Sequence, residues 1–374
     1  MGDTMEESID SSGDQALSLD LTQSTHTAIG VFLTVSGLIG LLANVIVLVT
    51  FWRSLSSKLS PASIVLVNLT FSDVGILLMG FPFNATSHLA GRWLYGAIGC
   101  QVYGFCCFLF GTAHIGALSL LAYEQYRTIS RMRPDAAPSQ RYLDRLQRTY
   151  IFYGIVIWMF AFIWATPPLF GWSRYSLEPF GTACTIDWRQ NTFEYKAYVV
   201  AYFIGGYLLP FTLIIFSFRR MVVIKRIYKQ EFARRSIECR DKPTIIDSLK
   251  EQREEDLTMT CLLIVSSFLT TWTPYAVLCL WSVIWGPDTV PSLLMIGPNI
   301  CAKASGALNP FIYSFSNRNL RSGISDTLRA IFPSMRREEH YPRDRNRGAT
   351  KRTNENVGLA VLSVSHHQDS PVHY

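Results

Sequence analysis

Hydrophobic positions along this chain gather into seven long blocks, parted by short polar connections that hold almost all the charge. The blocks run approximately Ala28–Trp52, Leu59–Ala90, Ala97–Tyr123, Thr149–Trp172, Ala197–Phe218, Leu257–Gly286 and Thr289–Asn317. About 20 apolar residues cover the hydrocarbon core of a bilayer, so each block predicts a membrane-crossing helix. Beyond the last block, Leu320, Ile324, Leu328 and Ile331 recur at helical spacing with arginines on the other face. That pattern suits a helix lying on the inner leaflet. The expected fold is therefore an all-α membrane protein: a seven-transmembrane helix bundle with a short amphipathic cytoplasmic helix. The expected divisions are an acidic outer tail over 1–26, the bundle over 27–317, the surface helix over 318–331 and a tail over 332–374. That last tail is charged and poor in apolar residues, the composition of a disordered segment.

Composition agrees with the pattern. The chain is 49% apolar and 17% charged, against about 25% charged for a soluble domain. Its net charge of +6 is distributed by side. The first 26 residues hold no Lys or Arg but six acids, whereas the loop after the fifth block and the C-terminal tail are rich in Arg. Positive loops stay in the cytoplasm, so the N-terminus is expected outside and the C-terminus inside, in the plasma membrane. The charge thus marks orientation rather than a nucleic-acid partner. The acidic N-terminus lacks the basic start of a cleavable signal, so the first span is expected to be its own anchor. Of eight cysteines, only Cys100 and Cys184 face the oxidising side, and they are expected to be bonded. No metal-ligand spacing is present, and Cys106-Cys107 reads as helix packing. Prolines fall inside the blocks at Pro82, Pro167, Pro168, Pro210, Pro274, Pro298 and Pro310.

Two residues of full charge interrupt the blocks, Asp73 in the second and Lys303 in the seventh, and His114 lies in the third. A buried ammonium is costly and marks function by default. Lys303 lies about 20 Å along its helix at about 1.5 Å per residue. Its neighbours Ala302, Ala304, Ser305 and Gly306 are small and leave room beside it. A desolvated amine favours its neutral, nucleophilic form, which can condense with an aldehyde. The alternative is a structural pairing with a buried acid such as Asp73.

The surrounding motifs narrow the choice. Asn44 lies in the first span, Asn68-Leu69-Thr70-Phe71-Ser72-Asp73 in the second and Trp158 in the fourth. Glu124-Gln125-Tyr126 ends the third, Thr271-Trp272-Thr273-Pro274-Tyr275 sits in the sixth, and Asn309-Pro310-Phe311-Ile312-Tyr313 ends the seventh. In this order they resemble the rhodopsin-like G-protein-coupled receptors over about 300 residues. A lysine seven residues before the span-7 proline resembles the opsins within that class. The segment from Glu178 to Trp188 is most similar to the neuropsin and peropsin branch.

The resemblance implies roles. Lys303 would form a Schiff base with retinal, either 11-cis or all-trans. Trp272 and Tyr275 would pack on the polyene and Gly111 would leave it space. Cys100 and Cys184 would tie span 3 to the outer loop. Visual pigments of vertebrates carry a glutamate where this chain has neutral Tyr103, so Glu178 is the expected counterion, and a bistable pigment follows. On the cytoplasmic side, Glu124, Gln125, Tyr126, Phe218, Glu254, Asn309, Pro310 and Tyr313 occupy the activation and G-protein positions. Gln125 replaces the usual arginine and Phe218 the usual tyrosine, two departures that would weaken coupling. The implied partners are a heterotrimeric G protein, membrane lipid, and arrestin and a receptor kinase at the tail. The implied function is a light-sensing receptor and not an enzyme. The alternative is a retinal photoisomerase with little signalling. No cysteine follows Cys301, so the surface helix lacks a palmitoylation site. Asn84-Ala85-Thr86 matches a glycosylation acceptor but lies within a span.

Overall fold

A computed structural model describes residues 21–53, 60–131, 139–239, 245–316 and 318–332. The tails on either side, and the side chains of Glu254 and Tyr313, lie outside the described residues. Seven long helices follow one another: α1 (Gln23–Arg53), α2 (Pro61–Ala90), α3 (Gly96–Ser130), α4 (Gln140–Ala165), α5, α6 (Ile245–Trp285) and α7 (Ser292–Ser316). The fifth, α5, is continuous through three segments, Phe193–Tyr202, a π-helical Phe203–Leu208 and Leu209–Cys239. A shorter helix, α8 (Arg318–Ile331), comes last. Residues up to Leu328 form one compact unit.

The outer surface and the interior are inverted relative to a soluble protein. Leu38, Leu42, Ile155, Met159 and Ile163 stand exposed on α1 and α4, while Asn44, Asp73, His114 and Asn309 are fully buried. Six of the long helices meet the length and hydropathy of a membrane span by themselves, and α7 completes the bundle. The chain is a multi-pass membrane protein with the expected seven-helix architecture.

Helix α3 runs through the middle, touching α2, α4, α5 and α6, and α1 packs on α2 and α7. The main apolar core lies in the half of the bundle nearer Gln125, with Leu69, Leu118, Leu121, Ile214, Ile264 and Phe268 fully buried. Helix ends differ from the hydrophobic blocks. Helix α1 begins at Gln23, inside the expected tail, and α3 continues to Ser130, which leaves Glu124-Gln125-Tyr126 within the helix. Backbone hydrogen bonding extends a helix past the hydrocarbon, where polar side chains no longer count against it. Helix α4 starts earlier and stops at Ala165, so Pro167 and Pro168 form a 3-10 turn after the span rather than a kink inside it.

In α5, Pro210 cannot donate to the carbonyl four residues before it. The ladder shifts there to five-residue spacing, with Leu209 N–H donating to Ile204 O. Its Tyr207 then meets Thr273 of α6 at 2.8 Å and stacks on Phe211 and Phe268. Outside the helices, two short strands form a hairpin: β1 (Tyr175–Leu177) pairs antiparallel with β2 (Cys184–Ile186), Leu177 opposite Cys184. Gly181, at φ +68°, turns the connection between them.

Candidate functional site

The hairpin lies across one end of the bundle and is fastened on several sides. Cys184 is disulfide-bonded to Cys100 of α3 with the Cα atoms 5.5 Å apart, the pair expected from the sequence. The buried Asp187 carboxylate accepts from Arg174 at 2.9 Å and pairs with Arg189 at 3.5 Å. The Tyr175 hydroxyl donates to Ala165 O at 2.7 Å, and burial holds this phenol above its ordinary pKa. Thr185 and the Tyr275 hydroxyl of α6 meet at 2.7 Å.

Beneath the hairpin is a cavity lined mainly by apolar and aromatic side chains. Lys303, Glu178, Tyr103, Gly111, Trp272 and Tyr275, the six residues expected to bind a cofactor, all line it. Lys303 enters from α7 and is 7% exposed. Its Nζ lies 5.4 Å from the centre of the Tyr103 ring. Glu178, at the end of β1, is buried, and its charge acts on Lys303, Tyr103 and Tyr275. A Cβ at Gly111 would stand 2.8 Å from Trp272 Cη2, so a larger residue there would force Trp272 to shift. The Tyr103 hydroxyl has no hydrogen bond of ordinary geometry among the described residues, although the Cys107 thiol interacts with it.

A polar cluster lies next to the cavity. Asp73 Oδ1 is 2.6 Å from His114 Nδ1, and Asp73 Oδ2 accepts from Asn309 Nδ2 at 2.8 Å. The His114 ring packs 5.7 Å from Trp272. The acid that could have paired with Lys303 is thus engaged by α3 and α7 instead. Toward the opposite end of the bundle, Glu124 accepts from Thr128 at 2.6 Å. Gln125 is buried, and its Oε1 has no hydrogen-bond partner among the described residues. Tyr126 packs edge-on to Phe216 at 5.8 Å, Phe218 packs against the main core, and Pro310 is buried in α7. The remaining two expected residues, Glu254 and Tyr313, cannot be placed by their side chains.

Sequence reading missed several lining residues. Cys107, taken as packing, faces the cavity, as do Tyr198, Tyr202 and Tyr207 of α5. The four-residue interval between Tyr198 and Tyr202 was a signal of one helix face. Asn84, read only as a glycosylation match, lies at Lys303 when its amide is turned to satisfy both of its polar atoms. Its signal was the spacing of 11 residues from Asp73, three helical turns along one face.

Residues 43–313 match the family described as 7 transmembrane receptor (rhodopsin family). A relative from Mus musculus, visual pigment-like receptor peropsin, is 29% identical over 314 residues, 84% of this chain and 88% of that one. Opsin-5 of Mus musculus is 31% identical over 287 residues, 76% of this chain and 72% of its own. The chain belongs to the opsins. The crystal structure of squid rhodopsin superposes with a TM-score of 0.73 at 28% identity, covering 86% of this opsin and 90% of that chain. This opsin is accordingly a light-sensing receptor of the membrane, and its family consists of receptors.

Proposed function

We propose that this opsin binds retinal covalently at Lys303, uses Glu178 as counterion, and acts as a bistable light-activated G-protein-coupled receptor. Joined to the Lys303 nitrogen with loss of water, retinal supplies the polyene that absorbs light and isomerises. The observation that carries the reading is the buried Lys303 amine in an aromatic cavity, under the charge of Glu178. The cavity fits a long apolar aldehyde: its polar groups are few, and the single lysine among its lining residues shares the cavity with one carboxylate, Glu178. Trp272 and Tyr275 would pack against the chain of the ligand, and the missing Cβ of Gly111 would keep Trp272 close to α3.

Tyr103 is neutral near pH 7, since an ordinary tyrosine ionises at about 10. Charge balance at Lys303 therefore falls to Glu178. A lid carboxylate that compensates the nitrogen without taking its proton leaves both light-formed states intact, which gives photoreversibility. Residues 27–317 form the receptor bundle, 318–331 the surface helix, and the tails over 1–26 and 332–374 lie outside and inside the plasma membrane. The positively charged cytoplasmic loops suit a heterotrimeric G protein, with arrestin and a receptor kinase acting on the tail.

The test is an absorption spectrum after adding 11-cis or all-trans retinal to the purified protein, before and after illumination. Lys303→Ala should abolish the pigment band. A variant that still forms a denaturation-stable adduct refutes the attachment site. A second reading, a retinal photoisomerase, draws on the glutamine at 125, whose Oε1 has no partner among the described residues, and the phenylalanine at 218. Sustained turnover of added retinal isomer under light, without nucleotide exchange on a G protein, selects it.

A further inference from the structure

Helix α2 presents successive inward positions to Lys303. A Cβ at Gly80 would stand 3.8 Å from the Lys303 Cγ, and Asn84 follows one turn later, 1% exposed. Turned so that each amide atom meets a complementary partner, Asn84 Oδ1 accepts from Lys303 Nζ at 2.5 Å. In the same orientation its Nδ2 donates to Thr182 O at 3.2 Å. Thr182 belongs to the turn of the hairpin, between Glu178 and the disulfide-bonded Cys184. One turn beyond Asn84, His88 Nε2 lies 3.0 Å from the Thr182 hydroxyl and His88 Nδ1 lies 3.1 Å from His26 Nδ1. Phe180 stacks on the His88 ring at 5.7 Å. Two turns of α2 therefore hold the lid, and the first of them holds Lys303 as well.

We propose that Asn84 is a positioning residue for the Lys303 nitrogen, directing its N–H toward α2 while Glu178 on the lid balances its charge. This rests on the reading of Lys303 as the attachment point. An amide oxygen is an acceptor far too weakly basic to remove a proton from the nitrogen. It can therefore orient the charged form without discharging it. Because Asn84 also bonds Thr182, the direction of the Lys303 N–H and the seating of the turn that carries Glu178 are set by one side chain. Division of the two tasks between Asn84 and Glu178 predicts that a carboxylate at 84 can do both.

The first measurement uses the ligand-free protein. Lys303 is labelled by reductive methylation with formaldehyde and cyanoborohydride near neutral pH, the hydride reducing the imine formed with loss of water, and its rate is followed by mass spectrometry. Only the neutral amine reacts, and a hydrogen-bonded carboxylate favours the charged one. Asn84→Asp, nearly isosteric, should slow labelling about tenfold, whereas Asn84→Ala, which removes the acceptor, should speed it. A general loosening of the fold would speed both. The second measurement uses the pigment. Glu178→Gln should lose its visible band near neutral pH, and adding Asn84→Asp should restore it. Wild-type labelling rates in Asn84→Asp, or no restoration of the band by it, overturn the proposal. Failure of the Lys303 reading is told apart by the wild type, which would then form no covalent pigment, while the labelling rates still decide whether Asn84 holds the amine. If Asn84→Ala does not fold, the Asp variant carries both measurements.

Discussion

Asp73 and His114 meet at 2.6 Å in the centre of the bundle, both without exposure to solvent. Removing one member of a buried pair strands the other, at a cost of about 3–5 kcal/mol. His114→Ala should therefore lower thermal stability strongly, while the double change with Asp73→Asn should be milder than His114→Ala alone. Additive losses in the double variant, read from melting in detergent, would mean that the two side chains do not stabilise each other. Glu178 and Tyr103 are separated by the same logic of charge. Glu178→Gln removes the only acid among the residues lining the cavity and should move the visible band strongly toward the ultraviolet near neutral pH. Tyr103→Phe removes only a hydroxyl that has no ordinary hydrogen bond among the described residues, and the band should stay in the visible. A Glu178→Gln spectrum and titration identical to wild type would remove the basis for the counterion.

The helices were legible because a membrane span declares itself by length, and Lys303 because a charge in such a span has few innocent explanations. The hairpin was not. Its strands are three residues each, too short for an alternating pattern, and it is held by partners distant in sequence. One of these anchors can be tested. Asp187 is buried between Arg174, itself half exposed, and Arg189. The pair lies between an exposed and a buried ion pair, so Asp187→Asn should cost about 1–3 kcal/mol and loosen the lid over the cavity. The expected readouts are a lower melting temperature and faster reaction of the pigment with hydroxylamine, and unchanged values in both would show that the disulfide alone holds the lid. Asn84 was hidden for another reason: an uncharged amide in a span costs little enough to be read as packing, and only the approach of α7 and of the hairpin turn gives it partners. The same holds for Cys107, whose direction into the cavity depends on the rotation of α3.

At the scale of the molecule, the site and the opposite end of the bundle are joined by helices shared between them. Helix α3 carries Tyr103 and Gly111 at the cavity, His114 at the polar cluster and Gln125 nearer the inner end. Helix α6 carries Trp272 against His114, and α7 carries both Lys303 and Asn309. A displacement of Trp272 would therefore act on the contacts of α2, α3 and α7 together. Under the proposed coupling, what reaches a G protein would depend on Gln125 and Phe218, where the resemblance implies arginine and tyrosine. Glutamine has no charge to pair with Glu124, whose carboxylate is bonded to Thr128 instead, and phenylalanine has no hydroxyl to offer across to α3. A charge-assisted hydrogen bond contributes about 1.5–3 kcal/mol, enough to change an active population tenfold or more. Wild-type coupling should accordingly be weak. Gln125→Arg combined with Phe218→Tyr should raise light-driven nucleotide exchange on a reconstituted G protein beyond the sum of the single changes, because each replacement supplies the partner that the other needs. Exchange by the wild type that already equals the double variant would show that this opsin reaches its active state through contacts other than these two.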